Sequence, residues 1–159
     1  IRDLSHQKKL WEGVNNGTAD IIGSDHAPHT IEEKNNEYPN SPSGMPGVQT
    51  LVPIMLNHVN NGKLKLERFV ELTSYNPSEL FKIKGKGKIA IGYDADFTIV
   101  DMNKERVITN DWIASKCGWT PYNNMKVKGW PIMTIIRNNI VMKDDIVFDP
   151  LGEPMSFVR

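Results

Sequence analysis

The seven residues ADIIGSD, Ala19 to Asp25, constrain this chain more than any other stretch. They form a short apolar run with β-branched residues and a turn signal on each side, the pattern of a buried strand. The preceding LSHQKKLWEGVNNG predicts a helix. Ser5 is its expected N-cap, Leu10, Trp11 and Val14 recur at helical spacing, and Gly17 stands where a helix-ending glycine belongs. A helix followed by a buried strand is half of a repeating α/β unit with a parallel sheet. In such folds reactive groups gather at the carboxyl ends of strands. Asp25 falls at that end, and His26 and His29 follow within four residues.

Residues 27–47 are rich in Pro, Asn, Ser and Gly and predict a long loop. VQTLVPIMLNHVNNG then predicts an apolar helix, with Pro53 either kinking it or lying in its first turn. LKLERFVEL is a further helix, Leu64 to Leu72. SYNPSELFKI restarts a short one, with Asn76 as N-cap and Pro77 at the first helical position. Past Gly85 the character changes. Phe97 to Val100 reads as a strand, and WPIMTIIRNNIVMKDDIVF reads as two β-rich runs about an Asn-Asn turn. A boundary near residue 84 follows, with 1–84 α/β and 85–159 mostly β.

Composition removes several classes. The 159 residues carry 19 basic and 19 acidic side chains, and a nucleic-acid binder usually shows a basic excess. No apolar run reaches the length of a membrane span, and no secretory signal pattern occurs. A lone cysteine, Cys117, favours a reducing compartment, so a cytoplasmic location is expected. The chain opens on Ile, which suggests a piece of a longer polypeptide.

A strand-end Asp can ligate a metal or act as a base toward a metal-bound water, and it can equally cap a turn. A neutral His29 could ligate a metal, and a protonated one could bind a carboxylate. His26 reads as structural, with its ring bonded to backbone or water. His6 lies on a solvated helix face, and His58 sits near a helix C-terminus, where positive charge is favoured. The EEK cluster at 32–34 reads as solvated surface and SGMPG as a turn. A catalytic zinc site needs about three protein ligands, and neither H-x-H nor C-x-x-C occurs.

SDHAPHTIEEK followed by PSGMPGVQTLVPIML closely resembles the type I dihydroorotases of the amidohydrolase superfamily. GKGKIAIGYDADFTIVD resembles that superfamily's return from its barrel into a small β domain, and SKCGWTPYNNMKVKGWPIMTIIRNNIVMKD resembles the dihydroorotase tail. The resemblance implies the C-terminal part of a (β/α)8 metal-dependent hydrolase barrel, followed by part of a β-sandwich. It implies zinc, one or two ions, and interconversion of N-carbamoyl-L-aspartate and dihydroorotate in pyrimidine synthesis. On this resemblance Asp25 is the zinc-binding, proton-shuttling acid. His29 holds the substrate carboxylate, and the backbone at Pro46 and Gly47 lies against the pyrimidine ring.

The family's remaining metal ligands would precede Ile1. The implied partners are therefore the N-terminal part of the same polypeptide, and either a second copy or aspartate transcarbamoylase. The apolar faces of DIIGSD and LVPIML would be left for the missing barrel to cover. The competing readings are a non-catalytic dihydroorotase-like scaffold and a hydantoinase or allantoinase relative.

Overall fold

The computed structural model describes residues 3–149 and 152–158. The chain is α/β. Helices α1 (Leu4–Asn16), α2 (Ile31–Lys34), α3 (Leu51–Asn60), α4 (Leu66–Val70) and α5 (Asn76–Leu80) precede strands β1 (Phe97–Val107), β2 (Lys126–Ile136), β3 (Asn139–Lys143) and β4 (Ile146–Val147). The strands form a four-stranded sheet in the order β1-β2-β3-β4, with β2–β3 and β3–β4 antiparallel. The chain divides into two compact units. The first comprises Ile1–Ile22, His58–Val100 and Pro131–Arg159, and the second Gly23–Asn57 and Asp101–Trp130.

In the first unit, α1 starts two residues earlier than expected. Asp3, not Ser5, is the N-cap, and its carboxylate accepts the Ser5 amide at 2.8 Å. That amide bond, with the Ser5 hydroxyl, holds the Asp3 carboxyl below its ordinary pKa. Gly17 ends the helix at φ 92°, as the sequence requires.

The expected buried strand at Ala19–Asp25 does not form, and Ile21 and Ile22 are only half-buried. A strand exists through the ladder of a neighbouring strand. Helical segments take its place here. Arg68 of α4 donates to the carbonyls of Val14 (2.8 Å) and Ala19 (2.6 Å), the Ile22 amide donates to Leu72 O (3.1 Å), and the Asn76 amide nitrogen donates to Asp20 O (2.8 Å).

Asn76 is thus not the N-cap of α5. It lies inside a helical run, because a π-helical turn, Glu71–Tyr75, carries α4 into α5 without a break. The wider turn accommodates Pro77, which has no amide hydrogen to give.

The GKGK–DAD segment locks onto the β2–β3 turn. Lys86 pairs with Asp94 at 2.7 Å and with Asp96, while Asp96 Oδ1 accepts the Arg137 amide at 2.8 Å. Burial opposes the Lys86 charge, but the two carboxylates outweigh it and raise its pKa. The turn is Arg137–Asn138, at φ 45° and 64°, one residue before the expected Asn-Asn pair. Asn139 already belongs to β3, opposite Ile136. A second turn with two positive φ values, Asp144–Asp145, leads to β4.

In the second unit, Ile54, Ile108, Val127 and Trp130 form a buried cluster, with Trp112, Tyr122 and Met125 packed against it. LVPIML therefore does not present an open apolar face: Pro53 to Leu56 are buried within the chain. Pro53 sits in the first turn of α3, where its missing amide hydrogen costs nothing. Strand β1 runs seven residues beyond the expected Val100 because its polar side chains also cover core. The Arg106 guanidinium lies 4.3 Å from the Trp130 ring centroid.

Two outcomes follow. Trp130→Ala should cost about 3–5 kcal/mol in a denaturant titration of this chain, since the side chain is almost fully buried. His58 should make folding acid-sensitive. Burial, then the charge of Lys63, lowers its pKa. A histidine depressed in the folded state binds its proton more readily when unfolded, so stability is lost as pH falls below the ordinary value of about 6.5. His58→Leu should flatten that slope in melts at successive pH values.

Candidate functional site

All four residues proposed for the site lie in the second unit. Asp25 is exposed at φ 44°, a left-handed conformation that a short polar side chain tolerates better than most. His26 then forms a parallel bridge with Met45, and the Ala27 amide donates to Met45 O at 3.0 Å.

The His26 ring acts on backbone, as the sequence suggests. Its Nδ1 accepts the amides of Gly47 (3.1 Å) and Val48 (3.4 Å), so Nδ1 carries no proton in this arrangement.

Pro46 and Gly47 are buried. A Cβ on Gly47 would stand 2.7 Å from Ser24 O, and one on Gly44, at φ 102°, would stand 2.5 Å from the Ala27 Cβ. SGMPG is thus a close backbone crossing as well as a turn. Gly47 O accepts the Leu51 amide (3.1 Å) and the Thr50 hydroxyl (3.2 Å), which launches α3.

A cavity of about 260 Å³ opens here, lined by His26, Pro46, Val48 and Gln49 on one side and by Ile113 and Ser115 on another. Gln49 fixes that second wall. Its amide donates to Trp112 O and accepts from the Ala114 amide, both at 2.8 Å.

His29 is half-buried and is not among the cavity's lining residues. Its Nδ1 lies 3.5 Å from Glu33 Oε2, and its carbonyl accepts the Trp119 indole hydrogen at 2.7 Å. EEK is more than solvated surface. Thr30 and Glu33 make a reciprocal capping box for α2, and the Lys34 ammonium donates to Pro42 O (2.6 Å) and Gly44 O (3.1 Å). The T-x-x-E spacing of Thr30 and Glu33 signals that cap in the sequence. Gln49 and Trp119, which act across large separations, carry no local signal.

The donor set is short for a metal. Among the described residues no group of three or more His, Cys, Asp or Glu side chains could hold an ion. Asp25 can supply one oxygen ligand, and a catalytic zinc site needs about three protein ligands. These residues alone therefore do not make a zinc site. Gly47→Ala should show how tight the crossing is: the backbone shift it forces should cost about 1–3 kcal/mol in a thermal or denaturant melt.

A hydrolase class comes first from comparison with known proteins. Residues 4–141 match the model of the amidohydrolase family, and the chain belongs to that family. Within it, the chain is 47% identical to the dihydroorotase of Pyrococcus abyssi over 154 residues, covering 96% of this chain and 36% of that protein. It is 46% identical to the dihydroorotase of Methanosphaera stadtmanae over 129 residues, covering 81% of this chain and 30% of the relative. The chain thus spans about a third of the length of these relatives. Among solved structures it is similar to the L-hydantoinase of Arthrobacter aurescens, with a TM-score of 0.89 at 32% identity, over 94% of this chain and 34% of that one. A D-hydantoinase from Thermus sp. gives a TM-score of 0.85 at 26% identity over the same shares.

Proposed function

We propose that this chain is the C-terminal portion of a dihydroorotase, a zinc-dependent cyclic amidohydrolase that interconverts dihydroorotate and N-carbamoyl-L-aspartate. The observation that carries the reading is the 47% identity to a dihydroorotase across almost the whole chain. On this reading residues 1–84 end the (β/α)8 barrel and residues 85–159 belong to the β-sandwich. The other metal ligands come from the polypeptide upstream, which is the chain's first partner. A second copy or aspartate transcarbamoylase is a further one. The setting is cytoplasmic. Among the described residues no helix is long and apolar enough to cross a membrane.

A bound zinc, one or two ions, would polarise the ring carbonyl and supply hydroxide near neutral pH. The chain's own residues do the rest. Asp25 would contribute one carboxylate ligand to the metal and would take the proton released as water adds to the carbonyl carbon. It returns that proton to the ring nitrogen as the C–N bond opens. His29, protonated, donates to the substrate carboxylate. Pro46 and Gly47 present backbone to the flat ring, with no side chain at Gly47 to hold it off.

The likeness to hydantoinases favours a second reading, a hydantoin-opening relative. Against it stand the dihydroorotase relatives, at 47% and 46% identity where the two hydantoinases reach 32% and 26%. Expression of the intact parent decides between them. It should hydrolyse dihydroorotate, and Asp25→Asn should lower kcat by about 100- to 10,000-fold, the usual share of a positioned acid or base. A parent that opens hydantoin and leaves dihydroorotate intact overturns the substrate, and one inert to both favours the scaffold. Residues 1–159 alone should show no turnover.

A further inference from the structure

We propose that Glu33 is the positioning residue of His29, holding its imidazole by Nδ1 so that Nε2 meets the substrate carboxylate; this rests on the reading of His29 given above. Four contacts carry it. Glu33 Oε2 accepts the Thr30 amide at 2.9 Å and lies 3.5 Å from His29 Nδ1. The carboxylate is thus anchored by a backbone amide, while the Glu33 amide donates back to the Thr30 hydroxyl at 3.3 Å and caps α2. The His29 carbonyl is tied to the Trp119 indole at 2.7 Å, which fixes the backbone from which the ring projects.

An imidazole has two usable edges, and the partner of one sets what the other offers. With Nδ1 beside the Glu33 carboxylate, Nε2 is the edge left for a ligand. In the doubly protonated form that edge donates to an anionic oxygen while Glu33 balances the charge. The same arrangement of carboxylate behind histidine orients metal-binding imidazoles. Lys34, the neighbouring cation, cannot take this role, since its ammonium is engaged by the carbonyls of Pro42 and Gly44.

The capping box separates orientation from mere support of the helix. Glutamine serves at this position of the box as glutamate does, so Glu33→Gln keeps the cap and removes the charge. In the intact enzyme this variant should melt like the unaltered protein and keep its kcat. Its KM for dihydroorotate should rise about tenfold, or roughly 1.4 kcal/mol of binding. Thr30→Ala should do the reverse, lowering the melting temperature and leaving KM in place. An unchanged KM in Glu33→Gln overturns the proposal, as does a loss confined to kcat.

A second readout does not depend on turnover. The nitrogen resonance of His29 Nδ1 in histidine-labelled enzyme should move in Glu33→Gln and hold its place in Thr30→Ala. A parent inactive on dihydroorotate refutes the functional reading. The resonance then decides the Glu33 contact separately, and an unmoved Nδ1 signal refutes it.

Discussion

The hydrogen bond from the Gly47 amide to His26 Nδ1 is the contact on which the candidate site depends. It joins two stretches of chain that neither helix nor sheet brings together: the turn after Asp25 and the approach to α3. Closing the loop between them carries an entropic cost that grows only slowly with length. A few well-made bonds can therefore hold it. The Ala27–Met45 bond beside it, and the absence of side chains at Gly44 and Gly47, let the two backbones cross at contact distance. Inside the loop, the Lys34 ammonium gathers the carbonyls of Pro42 and Gly44, so a segment of loop-forming composition has bonded fixed points.

That contact also explains the spacing of the motif. His26 spends its ring on backbone and is not free to serve as a second ligand beside Asp25. The positive φ of Asp25 turns the chain at that residue, and Pro28, with its fixed φ, follows two residues after the bridge at His26. His29 emerges beyond it, with its carbonyl held by Trp119 and its ring beside Glu33. Three polar residues within five positions thus have three different surroundings: Asp25 is exposed, His26 is bonded to amides, and His29 is backed by a carboxylate.

The sequence made part of this legible. Local signals located α1, the glycine at its end, α3, and the structural ring of His26; whether Pro53 kinks α3 or sits in its first turn they left open. What local signals could not convey were contacts made at a distance. The strand pattern at Ile21–Ile22 was read correctly as apolar, yet strand identity belongs to a pair of segments, and helix α4 and the π turn supply the bonds here. The shift of the hairpin turn to Arg137–Asn138 has a similar origin. Arginine is a poor residue for a left-handed turn, but Asp96 and Ala95 take the two amides and hold it there. The polar half of β1 carries no apolar signal, because Arg106 covers Trp130 with its guanidinium, a contact invisible to a count of apolar residues.

The arrangement also says why one carboxylate in this chain is informative without being sufficient. A metal site draws its affinity from several ligands held at once, and each added ligand is worth most when the others are already in place. The Gly47–His26 contact fixes the backbone that carries Asp25 using only residues of the second unit. The carboxylate's local frame is thus built by this chain, whatever supplies the other donors. The same holds for His29, whose backbone and Nδ1 both have partners here. On the proposed function, the joint geometry of several ligands would come from the rest of the polypeptide, and that geometry would separate an exposed acid at a turn from a catalytic centre.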